Sequence, residues 1–425
     1  MHQSKAQTVT LATGRGEVEK EPTEFISSGR NDERTAHFLN DLFRTAARQG
    51  VSDVHFDDEE DGCTVRYRLD GVLRVMHRVS PADSREIDAK IRTKSKLGTI
   101  ERQAPLDSKF RFDVDGRYVD VRVSILPLGK GQSIVCRLLD QSSNLLKLDD
   151  LEMPEDIRAC LRHIIAMPQG LLLVTGPTGS GKTTTLYGLL QQLNTPERKI
   201  ITAEDPIEFR VAGISQAQTN PRLPFSLALK AMLRQDPDVI LVGEIRDSET
   251  AKLANQAALT GHLVLSTLHT NSAPLTLTRL VDIGADPNIM AAAMGGYMAQ
   301  RLVRRLCPLC RVPQPMNEYV AKQMLKVEVP QEKIDAVSTI YEWNPNGCDS
   351  CRKGWVGRTA VFELIMPTAE VKLAVEEANL RALERAARLQ NQYRTLAHDA
   401  MLCVLNGVTS IEEAVAVTGD MSFEG

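Results

Sequence analysis

"GLLLVTGPTGSGKTTTLYGLL" (residues 170–190) opens on an apolar run, passes through a glycine-rich turn and closes on a helix-forming stretch. An apolar run bounded by turn residues reads as a strand buried on both faces, the habit of parallel sheets covered by helices. The turn has the order G-x-x-x-x-G-K-[ST], as Gly176, Pro177, Thr178, Gly179, Ser180, Gly181, Lys182 and Thr183, with Thr184 next. Glycines let backbone N–H groups wrap phosphate oxygens, the lysine meets the β and γ oxygens, and the Thr183 hydroxyl takes a place on Mg²⁺. The helix behind the loop adds its N-terminal dipole. Strand, loop and helix together predict a nucleotide site in an α/β domain.

Downstream, "KIITAED", "VILVGE" and "HLVLSTLH" are further apolar strands, each followed by a helical stretch, and that alternation predicts a parallel sheet with crossover helices. Hydrolysis needs carboxylates for the metal shell and the attacking water. Two stretches offer them at strand ends: "ITAEDPIE", with Glu204, Asp205 and Glu208, and "VILVGEIRD", with Glu244 and Asp247. The carboxyl ends of strands are where open α/β sheets bind ligands. The third strand ends in His269, with His262 at its start. A lone histidine is more often structural, but one at this end of the sheet can sense a γ-phosphate.

Upstream, residues 1–34 are polar and without apolar period, which reads as a mobile tail. "TAHFLNDLFRTAARQG" places Phe38, Leu39, Leu42, Phe43 and Ala46 on one face of a helix closed by Gly50. "SDVHFDD", "CTVRYRLDGVLRVMHRV", "KFRFDVDGRYVDVRVSIL" and "SIVCRLLD" alternate as strands, with hairpin turns at "LDGV", "VDGR" and "LGKG". The expected organisation is a tail (1–34), an α+β domain (35–142), a hinge (143–156), a phosphate-loop core (157–302), a four-cysteine subdomain (303–366) and a C-terminal helical region (367–425).

Across 425 residues, 51 Lys and Arg stand against 55 Asp and Glu, a net charge of -4 that gives no electrostatic reason to expect nucleic acid. No apolar run approaches the roughly 18–20 residues of a membrane span, and the first twenty residues lack a signal-peptide core. A cytoplasmic location is expected, where cysteines serve metals rather than disulfides.

Four of the eight cysteines form two C-x-x-C pairs, "CPLC" at 307–310 and "CDSC" at 348–351. A C-x-x-C turn sets two thiolates on one ion, so Cys307, Cys310, Cys348 and Cys351 predict one closed, structural Zn²⁺ site. A zinc ribbon on nucleic acid is the competing reading, set against few aromatics and a mildly acidic chain. Cys63, Cys136, Cys160 and Cys403 read as small packing residues.

"GPTGSGKTTTLY", "ITAEDPIE", "DPDVILVGEIRDSETA" and "TGHLVLSTLHTN" resemble the Walker A, Asp, Walker B and His boxes of the secretion ATPases that drive type II secretion and type IV pilus assembly. The resemblance covers roughly residues 36–420 and implies a RecA-like fold and a homohexamer. It also implies ATP hydrolysis that moves an inner-membrane platform protein, with peripheral membrane association through that partner. It gives Lys182 and Thr183 to phosphate and Mg²⁺, and matches Glu204 and Glu244 to the acids acting on metal and water, leaving open which is the base. "VSDVHFDDEEDGCTVRYRLDGVL" resembles the entry to the family's N-terminal domain, and Arg122 and Arg137 match arginines that there reach the nucleotide phosphates. Four-cysteine subdomains mark extension and secretion motors, which disfavours a retraction or DNA-uptake motor. A nucleotide-dependent scaffold without turnover is the reading from another class, opposed by the intact pair Glu204 and Glu244. Gln132 stands where the family often has Glu, and larger members carry a further N-terminal platform-docking domain for which this chain offers only its tail.

Overall fold

The computed structural model describes residues 23–24, 31–69, 71–98, 103–140, 147–351 and 353–419. Most of the expected tail, Asp70 of the "LDGV" turn and residues 141–146 around the expected hinge lie outside them. Packing divides the chain into two units. One runs to Ser142 and includes Cys307–Arg311 and Trp343–Val356; the other comprises Ser143–Leu306, Val312–Glu342 and Gly357–Gly425.

In the first unit the strand patterns fold as a seven-stranded sheet. Its elements are β1 (Thr23–Glu24), α1 (Asn31–Arg48), β2 (Asp53–Glu59), β3 (Gly62–Leu69), β4 (Val72–Val79), α2 (Pro81–Lys94), β5 (Leu106–Val114), β6 (Arg117–Pro127) and β7 (Gln132–Asp140). The strand order is β1-β4-β3-β2-β7-β6-β5. Alternation decides the faces: Val119, Val121, Val123 and Ile125 of β6 are buried, so Arg122 lies on the other face. The apolar stripe of α1 covers the buried face, with Leu39, Leu42, Phe43 and Ala46 inside and the Phe43 ring edge-on to Phe110 at 5.5 Å. Helix α2 was not foreseen, because its composition is polar. Its start signal is nonetheless present, Ser80 accepting from the Asp83 N–H and Pro81 standing first. Gln132 proves structural: its Oε1 accepts from the buried Arg92 at 2.8 Å, while Arg92 Nε bonds Asp88 at 2.6 Å.

In the second unit, alternate residues of each buried strand feed two cores, as a parallel sheet between helix layers requires. After a 3-10 turn (Leu148–Asp150) come α3 (Glu155–Ala166), β8 (Gly170–Thr175), α4 (Lys182–Leu193), β9 (Ile200–Glu204), β10 (Ile214–Gln218), α5 (Phe225–Met232), β11 (Val239–Val242), α6 (Ser248–Leu259), β12 (Leu263–Leu268), α7 (Leu275–Asp282), α8 (Pro287–Ala293) and β13 (Met294–Leu306). Leu172, Val174, Ile200, Val239, Leu241, Leu263 and Leu265 join α3 and α4 in one core. Leu171, Leu173, Ile201, Ala203, Ile240, Val242 and Val264 join α5–α8 in the other. With β16 (Trp355–Ile365) at one edge, the order β10-β9-β11-β12-β8-β13-β16, parallel from β10 to β13, sets the carboxyl ends of β9, β11, β12 and β8 side by side.

The rest of this unit is β14 (Val312–Pro315), α9 (Glu318–Lys326), α10 (Gln331–Asp335), β15 (Thr339–Glu342), β16 (Trp355–Ile365), α11 (Ala369–Glu376), α12 (Leu380–Arg388), α13 (Leu396–Leu405) and α14 (Ile411–Thr418), the first residues of β16 packing with the other unit. Two expected boundaries differ. Within the expected hinge at 143–156, Leu148, Leu151 and Met153 are buried in the α3/α4 core, apolar residues that the surrounding acids masked in the sequence. Within the expected subdomain at 303–366, β13 runs on to Leu306 and β16 joins the same sheet, so only the segments between them stand apart from it. Among the described residues no helix is long and apolar enough to cross a membrane.

Candidate nucleotide and metal sites

The phosphate loop joins β8 to α4 with its backbone held open by glycine. Gly176 has φ +147, and a Cβ there would lie 2.5 Å from the Gln300 carbonyl and 2.6 Å from Ser180 Oγ. Lys182, the first residue of α4, folds back so that Nζ donates to the carbonyls of Gly176 at 2.7 Å and Pro177 at 3.0 Å. Thr183 and Thr184 are exposed, and Ser180 Oγ is buried without a hydrogen-bond partner. Burial lowers the Lys182 pKa to about 8, Glu244 opposing the shift and Arg301 adding to it. A cation at a cradle of this shape fits a nucleotide phosphate chain.

The two acids occupy different surroundings. Gly243 passes close to β9: its N–H donates to the Ala203 carbonyl at 2.7 Å, and a Cβ would lie 3.2 Å from that oxygen and 3.3 Å from the Phe225 ring. This close approach explains glycine where other nucleotide strands end in Asp, and the acid is delivered one residue later by Glu244. The Glu244 side chain is 17% exposed, with one oxygen paired to Arg246 and the other 3.4 Å from His269 Nε2. Arg246 also lies 3.6 Å from Asp205, so it bridges the two acidic stretches, and its pKa is raised, first by the hydrogen bond to Glu244. Glu204, by contrast, is 5% exposed and accepts from Tyr187 Oη at 2.5 Å, Thr202 Oγ1 at 2.5 Å and Gln216 Nε2 at 3.1 Å.

His269 therefore joins the site, whereas His262 packs its Nδ1 at 3.0 Å from the Ala257 carbonyl on α6. Asp247 caps α6, accepting from the Thr250 N–H at 2.8 Å. Arg246, Arg301, Tyr187 and Gln300 were not singled out from the sequence. Each is a single polar residue whose part depends on a neighbour far along the chain, such as Gln300 accepting from Thr185 at 2.8 Å. Arg301 reaches Asn271 Oδ1 at 3.0 Å beside the His269 loop.

In the first unit, Arg122 and Arg137 are register partners on β6 and β7, so both lie on the face opposite the core. Arg137 Nε donates to Asp53 at 2.8 Å, and Arg68 Nε lies 3.8 Å from the same carboxylate.

The four cysteines of the two knuckles converge, their sulfurs all within 4.8 Å of one another. Sulfur–sulfur separations are 3.8 Å for Cys307–Cys348, 3.5 Å for Cys310–Cys351 and 3.7 Å for Cys348–Cys351. A tetrahedron with Zn–S bonds of about 2.3 Å has edges of about 3.8 Å, so the donor set fits Zn²⁺. Cys351 Sγ also accepts from the backbone N–H of Cys348 at 3.1 Å and of Gly354 at 3.3 Å, outer-shell bonds that suit a thiolate.

A family model described as type II/IV secretion system protein matches residues 29–416. The type II secretion system protein E of Dickeya dadantii (strain 3937) is 43% identical over 396 residues, covering 92% of this chain and 77% of that protein. The type II secretion system ATPase E of Vibrio cholerae is 41% identical over 399 residues, with 93% and 77% covered. Among solved structures, the pilus retraction motor PilT with bound ADP is similar with TM-score 0.61 and 26% identity, covering 88% of this chain and 95% of that one. The Legionella pneumophila ATPase DotB shares the fold with TM-score 0.67 and 23% identity, covering 94% and 97%.

Proposed function

The chain belongs to the type II/IV secretion system protein family, and from that premise we propose an ATPase motor that powers type II protein secretion or type IV pilus assembly at the cytoplasmic face of the inner membrane. The observation that carries the reading is Lys182, its Nζ held on the loop carbonyls of Gly176 and Pro177 with Glu244 close enough to act on its charge. On nucleotide arrival Lys182 exchanges those carbonyls for the β- and γ-oxygens, while loop N–H groups hold the rest of the chain. Thr183 would hold Mg²⁺, which supplies charge neutralisation between the β- and γ-phosphates. Glu244, the more open acid, takes the part of base for the attacking water, and His269 orients the oxygen that Arg246 does not hold. Glu204 takes the part of the second acid, and Arg122 and Arg137 the part of charge stabilisers for the transferring phosphoryl group.

The motor is read as a homohexamer acting on an inner-membrane platform protein, its four-cysteine site a structural Zn²⁺ centre with no position left for a catalytic water. Gene deletion tests this. Secreted protein or surface pilin should vanish, return with the wild-type gene, and stay absent with Lys182→Ala expressed to the same level. Restoration by Lys182→Ala would refute the motor reading.

A further inference from the structure

Tyr187 is a buried polar residue of the nucleotide region for which the mechanism above has no use. It lies on α4, four residues after Thr183, so both side chains leave the same helix face, about 6 Å apart along the axis. Its ring is 2% exposed and packs edge-on to Phe209 at 5.7 Å. Its hydroxyl lies 2.5 Å from Glu204 Oε2 and 3.3 Å from the Phe209 carbonyl.

Strand parity explains the encounter. Ile200 packs in the α3/α4 core and Ile201 and Ala203 in the opposite one, so Thr202 and Glu204 turn toward the α4 layer. Gln216 on β10 is the register partner of Thr202 and donates to Glu204 Oε1 from the same face. Both carboxylate oxygens are thus held by side chains of three elements. Burial and the Glu204 charge raise the Tyr187 pKa, keeping the phenol a donor. Glu208 also acts on that phenol, and the charged groups at the neighbouring strand ends are Asp205, Glu244 and Arg246.

A buried carboxylate with this many donors has one orientation, and of its two donors at 2.5 Å one, Tyr187, belongs to the helix that carries Lys182 and Thr183. We propose that Tyr187 is a positioning residue that acts through Glu204, tying the carboxylate of β9 to the helix that carries Lys182 and Thr183. Through this hydrogen bond the orientation of Glu204 depends on the position of α4. The inference rests on the reading of Glu204 as a working acid.

The test is steady-state turnover and nucleotide affinity of Tyr187→Phe, Glu204→Gln and the double variant. Phenylalanine keeps the ring and its packing on Phe209. The expected result for Tyr187→Phe is a kcat about 10-fold lower with affinity for a fluorescent ATP analogue within two-fold of wild type. In the Glu204→Gln background the same change should cost nothing further, since the carboxylate it positions is gone. Thr202→Val, isosteric and one donor short, should repeat the loss in kcat with unchanged affinity. Wild-type kcat in Tyr187→Phe, or an equal further loss in the Glu204→Gln background, overturns the inference and leaves Glu204 as an acid. Full activity of Glu204→Gln overturns the reading of Glu204 itself, and the inference with it.

Discussion

The Lys182 ammonium is held at a cost, and the cost sets a pH dependence for nucleotide binding. With its pKa lowered to about 8 from the ordinary 10.5, the lysine is mostly charged at neutral pH and mostly neutral at pH 9. Polyphosphate beside Nζ favours the charged form, so binding restores the pKa and takes up a proton wherever the free protein has lost one. If the bound lysine returns to its ordinary value, uptake is about 0.1 proton at pH 7 and about 0.9 at pH 9, and the apparent Kd weakens about ten-fold across that interval. The phosphates contribute little, because their last pKa, about 6, lies below this range. Calorimetric titration with a magnesium complex of a non-hydrolysable ATP analogue, in buffers of differing ionisation enthalpy, measures both quantities. A Kd that is flat from pH 7 to pH 9 with no proton uptake would refute the argument that burial on the loop controls this charge.

Purified protein should carry about one Zn²⁺ per chain, and Cys307→Ser or Cys351→Ser should lose the metal and expose the knuckle to protease; metal analysis showing none in protein never exposed to chelator contradicts the site. Arg394, 10% exposed, bonds Asp399 and Asp156 at 2.5 Å, and Asp399 also accepts from the Phe362 N–H at 2.8 Å. Arg394→Met strands a buried carboxylate and should destabilise the motor unit by about 3–5 kcal/mol in urea unfolding, whereas Arg388→Met, at an exposed pair with Glu328, should change stability by less than about 1 kcal/mol. Arg137→Ala should leave nucleotide binding intact and lower kcat by roughly 10²-fold, the order lost when arginine fingers are removed; near-normal turnover would leave Arg137 as the partner of Asp53 only.

The phosphate loop, the acid-bearing strand ends and the cysteine knuckles were legible in the sequence because each is a local pattern with a fixed spacing. Helical period likewise marks the core face of α1, and alternation marks β6 as a strand. What stayed hidden was carried by single residues meeting across the fold. Tyr187 reads as one more residue of an apolar helix, and only the parity of β9 brings Glu204 beneath it. Gln132 reads as a departure, yet its partner Arg92 lies on a helix whose polar composition concealed it. The segment at 147–156 looked like a linker because its acids outnumber Leu148, Leu151 and Met153, the three residues that bury it.

Phosphate release from magnesium ATP by the purified full chain, at steady state and neutral pH, bears most directly on the claim of an ATP-hydrolysing motor. The wild-type chain should release phosphate above background and Lys182→Ala should not, since removing one charge-assisted contact costs about 2–4 kcal/mol of transition-state stabilisation. Equal release by wild type and Lys182→Ala, or none from either when the protein is folded and binds nucleotide, would contradict it.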